Sequence, residues 1–148
     1  MKISIGSDHH GVNIRQKLTQ LMTQLGHQVF EHGPKEEKPN PVDYPDIAGT
    51  VASEVSNGTA DRGVLICGTG IGMCIAANKF YGIRAATIAD ELTAEISRRH
   101  NNLNVLCLSG DLLSEHNSEQ ILKVWLNTAF DDGRHQRRIE KISAFENQ

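Results

Sequence analysis

Residues 63–78, GVLICGTGIGMCIAAN, hold three kinds of local sequence in succession. Val64, Leu65 and Ile66 are a short apolar run of the kind that forms a buried strand. Cys67 stands where that strand should end. Gly68, Thr69, Gly70, Ile71 and Gly72 follow with little side-chain bulk, and from Ile71 the spacing turns helical, with Ile71, Cys74 and Ile75 on one side. A strand, a glycine loop and a helix present backbone N–H groups and the positive end of a helix dipole to whatever sits above the loop. That field suits a phosphate or an enolate oxygen, and it favours a thiolate at Cys67. The plainer alternative makes Cys67 a small core residue and the glycines a simple turn. The rest of the chain decides between the two.

Upstream, Ile3 and Ile5 alternate with Lys2 and Ser4, which predicts a strand over 2–6 followed by a polar loop, GSDHHG, at 6–11. A helix is expected from about Val12, with Leu18, Leu21, Met22 and Leu25 at helical spacing and Gly26 as its C-terminal cap. HQVFEH at 27–32 reads as a second strand, and the prolines of 33–43 make that stretch a loop. Pro45 suits the first turn of a second helix, with Ile47, Ala48, Val51, Ala52 and Val55 inward and Gly58 closing it. Downstream, 83–89 predicts a fourth strand, Asp90 caps a helix over 90–100, and 104–108 predicts a fifth strand. Asn117 with Gln120 resembles a capping box for a helix through Ile121, Val124, Trp125 and Thr128. After the break at Asp132-Gly133, a last helix is expected from about Arg134 to Phe145. Strands alternating with helices at this spacing imply a parallel sheet covered on both faces, with right-handed crossovers. Ligands in such folds bind at the carboxyl edge of the sheet. That edge gathers Asp8, His9 and His10, then Cys67 to Gly72, then Asp90; it does not place the loop 40–45, His100 or Arg134.

The 148 residues suit one domain spanning 1–148, and 39% hydrophobic content is that of a globular chain. No apolar run approaches the roughly 20 residues of a membrane span. The start, MKISIGSDHHG, reaches charged residues at once and has no signal-peptide core. A net charge of −3 and few aromatics argue against nucleic acid as a partner. Three cysteines without C-x-x-C spacing point to reduced thiols and a cytoplasmic location.

Asp8 and His9 are candidates for ligand contacts by strand-end position, whereas His10 suits a solvated loop and helix cap. The histidines lack H-x-x-x-H or H-x-H spacing, so no metal site is expected. Arg134 and Arg138, four apart, project from one helix face, where two guanidinium forks suit a phosphate ester; Arg137 and Lys141 beside them read as a solvated basic face. His100 ends a helix, where an imidazolium is favoured as a cap. Cys74 and Cys107 fall on apolar faces and read as core. Three loop motifs fail: Met73 stands where a dinucleotide fingerprint needs its last glycine, and equally where a C-x5-R phosphatase loop needs arginine; G-K-[ST] is absent.

With these residues assembled, the sequence resembles the type B ribose-5-phosphate isomerases, in the family shared with the galactose-6-phosphate isomerase subunits. The resemblance rests on GSDHHG, Asp43-Tyr44-Pro45, ICGTGIGMCIAANKFYGIRAA, RHNNLNVL and GRHQRRIEKI, in that order along nearly the whole chain. It implies a Rossmann-like three-layer α/β/α sandwich with about five parallel strands, no nucleotide cofactor, no metal, and homodimers or dimers of dimers whose active sites take residues from two chains. The last helix, about 134–145, is then directed toward the partner's site. The implied reaction interconverts ribose 5-phosphate and ribulose 5-phosphate, a step of the pentose phosphate pathway. By position, Cys67 matches the catalytic base and His100 the group that opens the furanose ring. Thr69 and the loop amides at Gly68, Gly70, Ile71 and Gly72 match the enediolate pocket. Asp8, His9, Tyr44 and Asn101 match substrate contacts; His9, Arg134 and Arg138 match the phosphate clamp. Having Cys67 and the arginine pair in one chain favours a homomer over a two-subunit galactose-6-phosphate isomerase. Two departures stand out: Asp111 where many members carry a phosphate-binding arginine, and Asn102 where relatives carry aspartate. Alternatives are an isomerase of allose 6-phosphate or galactose 6-phosphate, a non-catalytic sugar-phosphate sensor, and a dinucleotide-binding module, the last disfavoured by Met73.

Overall fold

Ile3 and Ile5 lie fully buried on one side of β1 (Lys2–Ser7), with Ser4 buried on the other, so the alternation read at the start of the chain becomes a strand enclosed on both faces. The computed structural model describes residues 1–36 and 40–147; the part of the expected proline loop at 37–39 lies outside them. After β1 come α1 (Val12–Gln24), β2 (Gln28–His32), α2 (Tyr44–Ser56), β3 (Arg62–Cys67), α3 (Ile71–Ala77), β4 (Ala85–Thr87), α4 (Glu91–Asn101), β5 (Val105–Ser109), α5 (Glu115–Asn127) and α6 (Arg134–Ser143), with a 3-10 turn at Ala144–Asn147. The sheet order is β2-β1-β3-β5-β4 and every pairing is parallel. Side chains divide by the period of two. Val64 and Ile66 join Ile3, Ile5, Leu106 and Leu108 against α1, α4 and α5, while Leu65 and Cys67 join Val105 and Cys107 against α2 and α3. The result is the expected Rossmann-like three-layer sandwich, and its strands read as apolar runs because both faces are covered.

Several boundaries moved for identifiable reasons. The fourth strand, expected over 83–89, is only Ala85–Thr87. It is an edge strand paired with β5 alone; on its N-terminal flank the Ile83 N–H goes to the Phe80 carbonyl and the Arg84 N–H to Asn104 Oδ1, while on the other the Ile88 N–H makes one more bond to the Cys107 carbonyl. Ser114 rather than Asn117 caps α5, its hydroxyl accepting the Asn117 N–H at 3.1 Å. The last helix stops at Ser143 and tightens into a 3-10 turn. In α3 the face buried is Met73 and Ala77; Ile71 and Ile75 are 57% and 59% exposed, so the stripe that reads as an inward face points outward. Gly26 and Gly58 do end their helices, both at positive φ.

Candidate active site

The strand order reverses between β1 and β3, and their carboxyl ends open a crevice there. A cleft of about 390 Å³ fills it, walled by Asp8 and His9 after β1, Cys67, Thr69 and Gly72 after β3, and Tyr44 at the start of α2. The post-β3 loop is pinned from beneath. The carbonyls of Cys67 and Gly68 accept the N–H groups of Gly110 and Asp111 at 2.8 and 3.1 Å, and the Ser109 hydroxyl donates to the Gly68 carbonyl at 2.6 Å. Gly70 holds φ +78°, and a Cβ there would lie 3.1 Å from the Leu108 backbone, so the loop can close only on glycine. Gly72 gives its space to Tyr44, whose ring would sit 2.6 Å from a Cβ. Tyr44 thus covers the start of α3, which brings the 40–45 loop, unplaced by the sheet-edge rule, into the site.

Cys67 is buried at 5% exposure and its Sγ accepts the Gly70 N–H at 3.2 Å. That donor, rather than a helix dipole, is the local source of positive charge, because α3 is only seven residues long. The Ile71 N–H is likewise taken, by Thr69 Oγ1 at 3.3 Å, so two amides expected to face an oxyanion are engaged inside the loop. His9 Nδ1 accepts the Val42 N–H at 3.4 Å, which leaves Nε2 to carry the proton as a donor. Asp8 is 4% exposed and accepts the His10 N–H at 2.9 Å. His10 is no helix cap: α1 has no side-chain cap, and His10 Nδ1 lies 3.0 Å from Asp111 Oδ1. That contact ties the Asp111 carboxylate to His10, and Asp111 is not among the residues that line the cleft. Asp90, the other residue gathered at this edge, is spent as a cap on Thr93, whose N–H and hydroxyl hold its carboxyl below the usual range.

His100, Arg134 and Arg138 gather around His135, while Asn101, the last residue of α4, lines a separate pocket with Arg84 and Ile142. The helix α4 leaves the carboxyl edge at Asp90 and runs back for 11 residues, about 16 Å at 1.5 Å per residue. His100 therefore sits at the amino edge of the sheet, opposite Cys67. The connection from α5 arrives at the same edge and is tied down there. Asp131 N–H donates to the Arg99 carbonyl at 3.0 Å, Arg99 Nε meets the Asp131 carboxylate at 3.0 Å, and Arg98 donates to the Thr128 carbonyl at 3.4 Å. Arg134 and Arg138 then open α6 on an exposed face. Asn102 caps α4 at φ 46°, a left-handed position that Asn and Asp both tolerate, so this departure belongs to helix termination. The residue missed by the sequence reading is His135. It is 7% exposed and its ring stacks on His100, centroids 4.2 Å apart and 4° from parallel. The signal was the spacing His135–Ile139, the only buried face of α6, hidden between arginines.

The model of the Ribose/Galactose Isomerase family matches residues 3–142. The chain belongs to that family. A putative sugar phosphate isomerase of Bacillus subtilis (strain 168) is 46% identical over 146 residues, 99% of this chain and 97% of the relative. The ribose-5-phosphate isomerase B of Escherichia coli (strain K12) is 39% identical, with 98% and 96% covered. The ribose-5-phosphate isomerase B of Mycoplasma genitalium, solved with bound ribulose-5-phosphate, superposes with a TM-score of 0.94 at 40% identity, covering 99% of this chain and 97% of that one. Among the described residues, no helix of this ribose/galactose isomerase family member is long and apolar enough to cross a membrane.

Among the described residues, His100, Asp131 and His135 are the one group whose donor atoms, all within 4.8 Å of one another, could gather on a metal. Their arrangement is a poor fit. Parallel stacked rings aim their nitrogen lone pairs side by side instead of at a common point, and the Asp131 carboxylate is already paired with Arg99. Prolonged dialysis against a strong chelator is therefore expected to leave turnover unchanged. A loss restored by one added divalent metal would contradict this. A second thiol needs care in any labelling experiment. Cys74 is half-buried rather than core, and the hydrogen bond from Cys107 lowers its pKa to about 6 against the opposing effect of burial. A thiol reagent is expected to meet the half-buried Cys74 more readily than Cys67, which is 5% exposed.

Proposed function

We propose that this chain is a cofactor-free aldose–ketose isomerase that interconverts ribose 5-phosphate and ribulose 5-phosphate as a homodimer, in the pentose phosphate pathway of the cytoplasm. The observation that carries the reading is the buried Cys67 thiol on the Gly70 N–H at the floor of the β1/β3 crevice, beside Asp8, His9 and Tyr44. Ribose 5-phosphate rests as a furanose. To open it, the C1–O4 bond breaks with its electron pair going to O4, which takes a proton from His100. The C1 hydroxyl proton leaves to solvent as the aldehyde forms. The Cys67 thiolate then removes the C2 proton, and the freed pair forms C1=C2 while O1 becomes the oxyanion of a cis-enediolate. Thr69 and the N–H groups at Gly68 and Gly72 face that oxyanion, the Ile71 amide turning to it from Thr69 while the Gly70 amide stays on Cys67 Sγ. Cys67 returns the proton to C1 as O2 passes its own to O1, leaving the ketone. Asp8, Tyr44 and Asn101 hold sugar hydroxyls; His9, Arg134 and Arg138 hold the phosphate, whose binding energy positions the reacting end.

Two features support the homodimer. Cys67 and the His100–Arg134 cluster occupy opposite edges of one sheet, so a single chain does not unite them, whereas a twofold-related copy can. Ile71 and Ile75 on α3, with Leu92 and Ile96 on α4, are exposed apolar side chains suited to such a copy. The test is turnover of ribose 5-phosphate, allose 6-phosphate and galactose 6-phosphate by purified protein. Preference for the pentose is expected. A six-carbon preference would move the substrate, and binding without any turnover would make the protein a sensor.

The chemistry also predicts a directional defect. Ribulose 5-phosphate has its C5 hydroxyl esterified and forms no furanose, so it needs no ring opening. His100→Asn is expected to slow turnover of ribose 5-phosphate by about 10²-fold or more, the range of a lost general acid. Uptake of solvent deuterium at C1 of ribulose 5-phosphate should survive in the same variant. Equal loss in both assays would remove His100 from the ring-opening step.

A further inference from the structure

The His135 imidazole has no part in the steps above, yet it is one of the two buried side chains that seat α6. A polar ring buried on an otherwise charged helix calls for a reason. Its flat face lies on His100, 4.2 Å away and 4° from parallel. On its edge, Arg134 Nε donates to Nε2 at 3.4 Å, which makes Nε2 the acceptor and puts the ring proton on Nδ1. Burial, then the neighbouring His100, Arg134 and Arg138, push the His135 imidazolium below its ordinary pKa, with Asp131 opposing. The ring is therefore a neutral plate under His100. Both rings hang from segments cross-tied by the Asp131–Arg99 ion pair and the Asp131 N–H to the Arg99 carbonyl, so the two backbones are fixed to each other and the stack alone sets the plane of the His100 ring.

We propose that His135 is the positioning residue for His100: its buried neutral ring fixes the plane of the His100 imidazole and leaves His100 as the member of the pair that carries the proton to the sugar ring oxygen. The inference rests on the isomerase reading in which His100 opens the furanose. A proton donor acts only along its N–H axis, so loss of the plate lets the His100 ring rotate away from the ring oxygen. The defect is confined to substrates that arrive as rings.

The experiment compares His135→Ala, His135→Phe and His135→Gln in two assays: turnover of ribose 5-phosphate, and solvent deuterium uptake at C1 of ribulose 5-phosphate. His135→Ala should lose about tenfold or more in the first assay and stay within about twofold of wild type in the second. His135→Phe keeps a flat ring and should recover most of the loss; His135→Gln offers an acceptor to Arg134 without a plate and should not. A structural role, or a role in the phosphate clamp, would lower both assays together, and that outcome overturns the proposal. So does an unimpaired His135→Ala, or a His135→Gln that recovers as well as His135→Phe. Should His135→Ala fail to fold, the Phe and Gln variants decide the question between them. Wild-type protein inactive in both assays would instead refute the isomerase reading itself.

Discussion

Cys67→Ser is expected to abolish isomerisation, by about 10²–10⁴-fold in turnover, while leaving sugar-phosphate binding close to wild type. Serine is nearly isosteric with cysteine, and its hydroxyl can accept the same Gly70 N–H that Sγ accepts at 3.2 Å, so the loop and the cleft should keep their shape. What changes is basicity at neutral pH. A thiol is intrinsically far more acidic than an aliphatic hydroxyl, so cysteine can furnish a thiolate base where serine stays protonated and cannot take the C2 proton. Both assays should fail together, because enolisation is common to the two directions: turnover of ribose 5-phosphate and deuterium uptake into ribulose 5-phosphate. That separates Cys67 from His100. Binding should be measured directly, by calorimetry with ribulose 5-phosphate. Full activity in the serine variant would assign the base elsewhere, with the half-buried Cys74 as the first thiol to examine.

Mixing two inactive variants is expected to restore activity. Cys67→Ser removes the proposed base; Arg134→Ala with Arg138→Ala removes the proposed phosphate clamp. The two lesions lie at opposite edges of the sheet. If each site takes Cys67 from one chain and the arginines from its partner, a heterodimer holds one intact site and one doubly damaged site. Random exchange makes about half of the dimers mixed, each with one good site of two, so recovery should approach roughly a quarter of wild-type activity. Exchange requires dissociation, for instance in mild denaturant followed by refolding, and native mass measurement should count the heterodimers. Heterodimers without activity would show that the base and the clamp serve the same chain. The arginines are exposed, so their removal should leave the fold intact.

Much of this protein was legible in its sequence because the deciding signals are local. The apolar run of β3, the glycines after it and the helical spacing beyond are short-range consequences of side-chain size and backbone freedom, and they place Cys67 at a strand end without reference to the rest of the chain. The order of strands and helices likewise implied a covered parallel sheet. Matters that depend on who sits next to whom were not legible. Whether Ile71 and Ile75 or Met73 and Ala77 face the core depends on the roll of a seven-residue helix whose pattern is apolar on both sides. The length of β4 depends on its lying at the sheet edge, where one ladder partner holds it. Asp111 stands where many members carry a phosphate-binding arginine, and only the fold brings it to His10, 101 residues away in the chain. Nothing local marks out His135 within the run RHQRR; the α5–α6 connection sets its ring against His100, 35 positions earlier in the chain. The sequence by itself determined the elements, the glycine loop and the thiol at its mouth, because those rest on interactions within a few residues. Only the tertiary structure decided that Cys67 and the cationic cluster stand at opposite edges of one sheet, because that separation comes from the direction in which α4 and α5 run back across it.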